Sequence, residues 1–186
     1  MADFTLYTAE NAPEGSKEIL EGAAGKYGFV PNLLATLAES PTTLKAYVTL
    51  AGLVGETKFD VSEQQVILMT TSFENNCTYC MAAHSTISAM TGVPADVVES
   101  LRAGTALADP KLNALADFTR ALVQSNGAYD AAATDAFLAA GYSKEQALEV
   151  LVGIAQKTIS NFTNHIGQTP KDEPFTANAW QKPVAV

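Results

Sequence analysis

Helix start and stop signals follow one another at short intervals from about Glu14 to Ile166, and no alternating apolar–polar stretch of useful length lies between them. A chain punctuated in this way is confined to packed helices. Gly28 ends a helical stretch that opens near Glu14, and Pro31 opens a short one to about Leu37. Ser40-Pro41 places a cap residue before a proline in the first turn, ahead of a stripe through Leu44, Tyr47, Val48 and Ala51 to about Gly55. Ser62 with Gln65 reads as a capping box, and the run Val66-Ile67-Leu68-Met69 behind it is too apolar for a surface helix. A helical pattern resumes from Cys77 to Met90 and stops at Gly92, and Pro94 opens a short helix to about Arg102. Asp109-Pro110 starts a further helix that ends at Asn126-Gly127, followed by a short one from Ala131 to Ala139, closed by Gly141. Ser143 with Gln146 forms a second capping box and opens the last long helix, to about His165 or Ile166. Its apolar side carries Leu148, Leu151, Val152, Ala155, Ile159 and Phe162, and this side is expected to face the core.

Thirty-one of the 186 residues are Ala, which loses least entropy in a helix and lets helices approach closely. The expected fold class is all-α, as a single domain over residues 1–186 with its motif core at 61–92. Residues 1–12 read as an extended arm. The tail, 170–186, holds Pro170, Pro174, Pro183 and the lone Trp180, and is expected to dock loosely or to reach a neighbouring subunit. Phe59, Phe73 and Phe118 read as core. With 47% apolar residues, the chain is richer in core formers than a disordered one. A net charge of −9 argues against nucleic acid and anionic membrane surfaces as partners. There is no apolar run near the ~18 residues of a spanning helix, nor a basic segment followed by an apolar one at the start. The expected location is cytoplasmic.

The chain holds two cysteines and two histidines. Cys77 and Cys80 form a CxxC, His84 follows four residues later, and Glu74 precedes by three. On one continuous helix these four fall within an arc of roughly 120°. If the helix instead begins near Cys77, the thiols sit in its first turn, where unpaired N–H groups and the helix dipole favour thiolate. Both arrangements suit dithiol chemistry. One sulfur must ionise to be a nucleophile, a second must reach it to close a disulfide, and a His can exchange protons near neutrality. Two alternatives stand beside this reading. The cysteines are buried packing residues, or Cys77, Cys80 and His84 bind zinc with Glu74 or His165 as fourth ligand, although one helical face does not enclose a metal. Tyr79 lines the pocket or packs. His165 approaches the site from the last helix or serves the helix dipole. Asn161 and Asn164 read as helix-end capping groups.

The stretch Glu74-Asn75-Asn76-Cys77-Thr78-Tyr79-Cys80-Met81-Ala82-Ala83-His84 resembles the ExxCxxCxxxH motif of the AhpD-like, or carboxymuconolactone decarboxylase-like, family. Phe29-Val30-Pro31-Asn32-Leu33 with Ser40-Pro41, and Asn161-Phe162-Thr163-Asn164-His165-Ile166, are similar to its entry and closing segments. The resemblance implies an all-helical fold, homo-oligomers (trimers or hexamers), and alkylhydroperoxidase or disulfide-reductase activity. It implies no metal and no cofactor beyond the redox-active cysteine pair. In that scheme Cys80 meets the hydroperoxide or partner disulfide, Cys77 resolves it, His84 joins the proton relay, and an external dithiol restores the pair. The best-known branch has a carboxylate twelve residues before the first Cys, where this chain has Gln65, and a His before the second Cys, where it has Tyr79. Glu74 is then the expected acid. The alternatives carried with the resemblance are a disulfide reductase serving a peroxiredoxin, a lactone decarboxylase, whose family members generally lack the Cys pair, and an idle or zinc-binding scaffold.

Overall fold

The computed structural model describes residues 4–128 and 130–184. The outermost residues of the expected arm and tail, 1–3 and 185–186, lie outside them. Nine α-helices form among the described residues: α1 Glu14–Tyr27, α2 Asn32–Leu37, α3 Pro41–Glu56, α4 Val61–Glu74, α5 Thr78–Thr91, α6 Ala95–Ala103, α7 Pro110–Gln124, α8 Ala131–Ala139 and α9 Lys144–Gly167. A 3-10 helix spans Glu173–Asn178, and no described residue is in a strand. The fold is all-α, as the punctuation implies. Ser40 accepts from the Thr43 N–H, and Asp109 from the Lys111 and Leu112 N–H groups. Ser143 and Gln146 form their capping box, and Gly28 and Gly92 end α1 and α5 in the left-handed region.

One cap differs from the sequence expectation. Helix α4 is capped by Asp60, not Ser62, which lies inside its first turn. The Asp60 carboxylate accepts from the Glu63 N–H (2.9 Å), and the Glu63 carboxylate accepts from the Asp60 N–H (3.0 Å). A carboxylate at this end also meets the positive pole of the helix. Glu63 then pairs with Lys111 of α7 at 2.9 Å, which gives the earlier start a tertiary anchor.

Helix α4 lies centrally and packs on α5, α6, α7 and α9. On one side Val66, Met69, Leu115, Phe118, Phe137 and Val150 form an apolar cluster, in which Phe137 stacks between Phe118 and Tyr142. A second cluster holds Leu20, Leu34, Leu44, Ala82 and Phe175 together with Cys77 and Cys80. Each fully buried Leu in these clusters contributes about 1.5–3 kcal/mol. Helices α4 and α9 approach closely at Gly153, where an added Cβ would lie 2.6 Å from Ile67 Cγ2. Where α4, α5 and α9 meet, the buried side chains are polar: Gln65, Thr71 and Ser72 from α4, His84 from α5, and Lys157 and Asn161 from α9, among others.

Helix α9 departs most from expectation. Its apolar side faces outward: Leu148, Leu151, Phe162 and Ile166 are 69%, 46%, 54% and 66% exposed. Ala155 is exposed too, and Val152 and Ile159 are half-buried. The inward face carries Val150, Gly153, Gln156, Lys157, Ser160, Asn161 and Asn164. These polar groups are directed inward because hydrogen-bond partners on α4 and α5 await several of them there. The described part of the tail docks on its own chain. Phe175 meets Tyr79 and Phe29 edge-on. Trp180 is buried, donates from Nε1 to the Arg102 carbonyl (2.8 Å) and packs on Phe73. The arm lies on α2 through the Tyr7 N–H to the Ala35 carbonyl. Phe59 and Phe118 are core residues, and Phe73 is half-buried against the core.

Candidate thiol site

The chain does not run as one helix from Glu74 to His84. Asn75 ends α4, and Asn76 turns into the left-handed region at φ 53°. The Asn76 N–H then bonds the Phe73 carbonyl and the Cys77 N–H bonds the Ser72 carbonyl at 2.9 Å. This is a Schellman closure, with Asn in the place glycine usually takes. Cys77 therefore closes α4 and caps α5 at once, and its sulfur accepts from the Cys80 N–H at 3.4 Å. Of the two arrangements compatible with the spacing, the structure has the one with the thiols at the start of a helix.

Both cysteines are free and 1% exposed. Cys80 Sγ accepts from Asn164 Nδ2 of α9 at 3.2 Å and lies 3.7 Å from Ser160 Oγ, whose hydroxyl donates to the Lys157 carbonyl. Asn164 also lies 3.7 Å from Cys77 Sγ. Burial pushes the Cys80 thiol up, but the Cys77 thiol, the Lys157 ammonium, Ser160 and Asn161 outweigh it and hold Cys80 well below the ordinary thiol range. Cys77 is pushed up, first by its own hydrogen bond to Cys80, then by burial and by the charge on Cys80. The pair is thus asymmetric: one sulfur ionises and the other keeps its proton.

His84 is buried between two groups. Lys157 Nζ lies 2.9 Å from its Nε2, and Gln65 Oε1 lies 2.9 Å from its Nδ1. An ammonium has no lone pair, so Nε2 is the acceptor and Nδ1 carries the hydrogen that Gln65 accepts. Burial first, and the Lys157 charge second, hold His84 well below its ordinary range, so the imidazole is neutral. Its two nitrogens are both occupied.

The remaining sequence candidates fall elsewhere. Both oxygens of the Glu74 carboxylate are turned to α7, one to Arg120 Nε (3.1 Å) and one to Gln124 Nε2 (3.0 Å). The structure does not bring Glu74 to His84. Tyr79 is buried, with its hydroxyl donating to Asp172 and accepting from the Leu33 N–H. It ties α5 to the tail and to α2. His165 is exposed in the last turn of α9. Asn161 and Asn164 are not end caps but inward-facing residues: Asn161 bonds Asn75 and Ser72, and Asn164 bonds Cys80. Lys157 and Ser160 are site residues that the sequence reading passes over. The available signal is their spacing: 157, 160, 161 and 164 form a polar stripe on the helix face opposite the apolar one.

Among the described residues, no three His, Cys, Asp or Glu side chains converge as a metal cage. The reason at the thiols is plain: the third zinc candidate, His84, is turned to an amide and a cation. Nor is any described helix long and apolar enough to cross a membrane.

No protein-family profile matches the chain, and no curated protein matches it by sequence. Solved structures match it by shape. An uncharacterized peroxidase-related protein from Ralstonia eutropha JMP134, described as an alkylhydroperoxidase AhpD core, is 21% identical with a TM-score of 0.81, covering 92% of this chain and 93% of that one. An uncharacterized peroxidase-related protein from Silicibacter sp. TM1040 is 19% identical, with a TM-score of 0.78 over 91% of each chain. The debrominase Bmp8, solved as a cysteine-to-alanine variant in complex with 2,3,4-tribromopyrrole, is 22% identical, with a TM-score of 0.79 over 95% of each chain. These likenesses establish the AhpD-like fold.

Proposed function

We propose that this chain of AhpD-like fold is a thiol-dependent peroxidase and disulfide oxidoreductase acting through Cys77 and Cys80. The observation that carries this reading is the asymmetry of the pair. Cys80 is surrounded by Asn164, Ser160 and the field of Lys157, while Cys77, one helical turn earlier, keeps a proton directed at it. The Cys80 thiolate attacks the terminal oxygen of a hydroperoxide. The O–O bond breaks, the sulfur becomes a sulfenic acid, and the leaving alkoxide takes a proton from the Lys157–His84 pair. The Cys77 thiol then displaces hydroxide from the sulfenic sulfur, giving a disulfide and water. Two external thiols reduce the disulfide and are themselves oxidised. Exclusion of bulk water from a site whose sulfurs are 1% exposed strengthens each of these electrostatic effects.

The relay in this reading is Gln65–His84–Lys157. Gln65 stands where the resembling branch has a carboxylate, and its amide holds the imidazole in one tautomer without contributing a charge. Steady-state peroxide consumption with dithiothreitol tests the proposal. Cys80→Ser abolishes turnover, and Cys77→Ser, treated with peroxide in the absence of dithiothreitol, halts at the sulfenic acid after one equivalent. Full activity in the double serine variant overturns it. A halogenated small ring is the second reading, supported by the tribromopyrrole-bound debrominase of the same fold. Release of bromide from tribromopyrrole by the reduced protein, without peroxide turnover, would favour it.

The outward stripe on α9, Leu148, Leu151, Phe162 and Ile166, supports self-association as a homo-oligomer. A patch of large apolar side chains along one helix is unusual on a monomer. Leu151→Glu with Phe162→Glu is expected to lower the sedimentation mass to that of one chain, and an unchanged mass would contradict it. The net charge of −9 supports a reading without nucleic acid or an anionic membrane surface as partner, and a cytoplasmic location belongs to the same reading.

A further inference from the structure

Lys157 is a cation with nowhere conventional to go. It is 1% exposed, and it takes no part in any of the five salt bridges among the described residues. Among the described residues, the one hydrogen-bond partner of its ammonium is His84 Nε2, a neutral acceptor. The other ionisable groups facing this place are Cys77 and Cys80 from the start of α5 and Tyr47 from α3, whose hydroxyl is turned toward Gln156. Burial pushes Tyr47 far up, so it supplies no anion. On α9 itself, Ser160 and Asn164 lie on the same face as Lys157, and both reach Cys80 Sγ. Cys80 is therefore the single described group able to carry the negative charge that Lys157 lacks.

We propose that Lys157 is the counter-ion of the reduced pair, and that losing this partner on disulfide formation makes the Cys77–Cys80 disulfide a strong oxidant, reducible by small monothiols of the glutathione class. The inference rests on the cysteine-pair reading above and names its reductant. In the reaction Cys80–S⁻, Cys77–SH and one molecule of oxidised glutathione give the protein disulfide, one reduced glutathione and one glutathione thiolate. Charge and protons balance, and two electrons pass from protein to glutathione. On the left the protein holds a thiolate beside an ammonium. On the right it holds an ammonium beside a neutral disulfide, in a site buried from bulk solvent and with no described carboxylate paired to the ammonium. An uncompensated buried charge is strongly unfavourable, so the equilibrium is held to the left. The same principle, a stabilised reduced form, makes other CxxC disulfides oxidising.

The test equilibrates the full-length protein with reduced and oxidised glutathione and quantifies the disulfide by thiol trapping. Lys157→Met removes the charge while keeping an unbranched side chain in the core. It is expected to raise the equilibrium constant for disulfide formation at least tenfold, about 30 mV for a two-electron couple. It should also move the ultraviolet thiolate absorbance of Cys80 to higher pH, which a purely structural role would not do. Should Lys157→Met fail to fold, Lys157→Gln serves, with the same expected shifts. A constant within twofold of the wild type, or a pair that glutathione never oxidises or reduces, overturns the proposal. Peroxide turnover is read separately: wild-type protein inert to hydroperoxides but showing the tenfold shift would remove the peroxidase reading and leave the counter-ion intact.

Discussion

Asn164 offers a quantitative handle on how the fold ionises Cys80. Its Nδ2 lies 3.2 Å from Cys80 Sγ, inside a site buried from bulk solvent. A hydrogen bond to a charged group is worth about 1.5–3 kcal/mol, and it favours the thiolate over the thiol. One pKa unit corresponds to about 1.4 kcal/mol. Asn164→Ala is therefore expected to raise the Cys80 midpoint by roughly one to two units. The assay is the pH profile of alkylation by iodoacetamide, measured in a Cys77→Ser background so that one sulfur reports. Stability should change little, because Asn164 Oδ1 is buried without a partner among the described residues. Truncation removes that orphan acceptor, whose burial costs about 1–3 kcal/mol, and this offsets the lost hydrogen bond to Cys80 together with the lost packing. A stably folded variant whose midpoint moves by less than about 0.3 unit, or ~0.4 kcal/mol by the same conversion, would refute the idea that α9 supplies the thiolate's donors.

Glu74→Gln should cost about 1 kcal/mol in urea unfolding through loss of its ion pair with the partly exposed Arg120, yet leave turnover within about twofold, since its carboxylate serves α7. Tyr79→Phe leaves Asp172 and the Leu33 N–H short of a partner. A loss of about 2–3 kcal/mol and faster proteolysis around residues 173–178 are expected, whereas unchanged cleavage would show that the tail is held by other contacts. Stability should also fall with pH below about 6.5, because the unfolded chain then binds a proton that folded His84, held well below its ordinary range, refuses. The slope from this one group is at most about 1.4 kcal/mol per pH unit, and comparing denaturant midpoints of wild type and His84→Gln isolates it.

Local chemistry was legible in the sequence wherever it was local. Ser40-Pro41, Asp109-Pro110 and the Ser143–Gln146 box each act within one turn, and each sits where its side chain indicates. The cysteine spacing likewise locates the thiols. What escaped depends on partners distant in the chain. Asp60 outranks Ser62 as the α4 cap because Glu63 answers it from within the turn and Lys111 from α7. Helix α9 carries an apolar stripe and a polar stripe, and hydropathy alone turns the wrong one inward. Lys157, Ser160 and Asn164 acquire meaning only against α5, more than seventy residues earlier in the chain. Glu74 shows the converse error: its sequence distance from Cys77 is short, but the turn at Asn76 redirects it to another helix.

The central claim is that Cys80 is the sulfur that is oxidised and Cys77 the one that resolves it. Titrating the reduced protein with a stoichiometric alkyl hydroperoxide, and analysing the peptide that contains both cysteines by mass spectrometry, tests this most directly. One equivalent is expected to convert the peptide to its internal disulfide, and Cys77→Ser is expected to stop at a sulfenic acid on Cys80 that dimedone captures. Thiols that stay free under these conditions, or a sulfenic acid forming on Cys77 in Cys80→Ser at the wild-type rate, would contradict it.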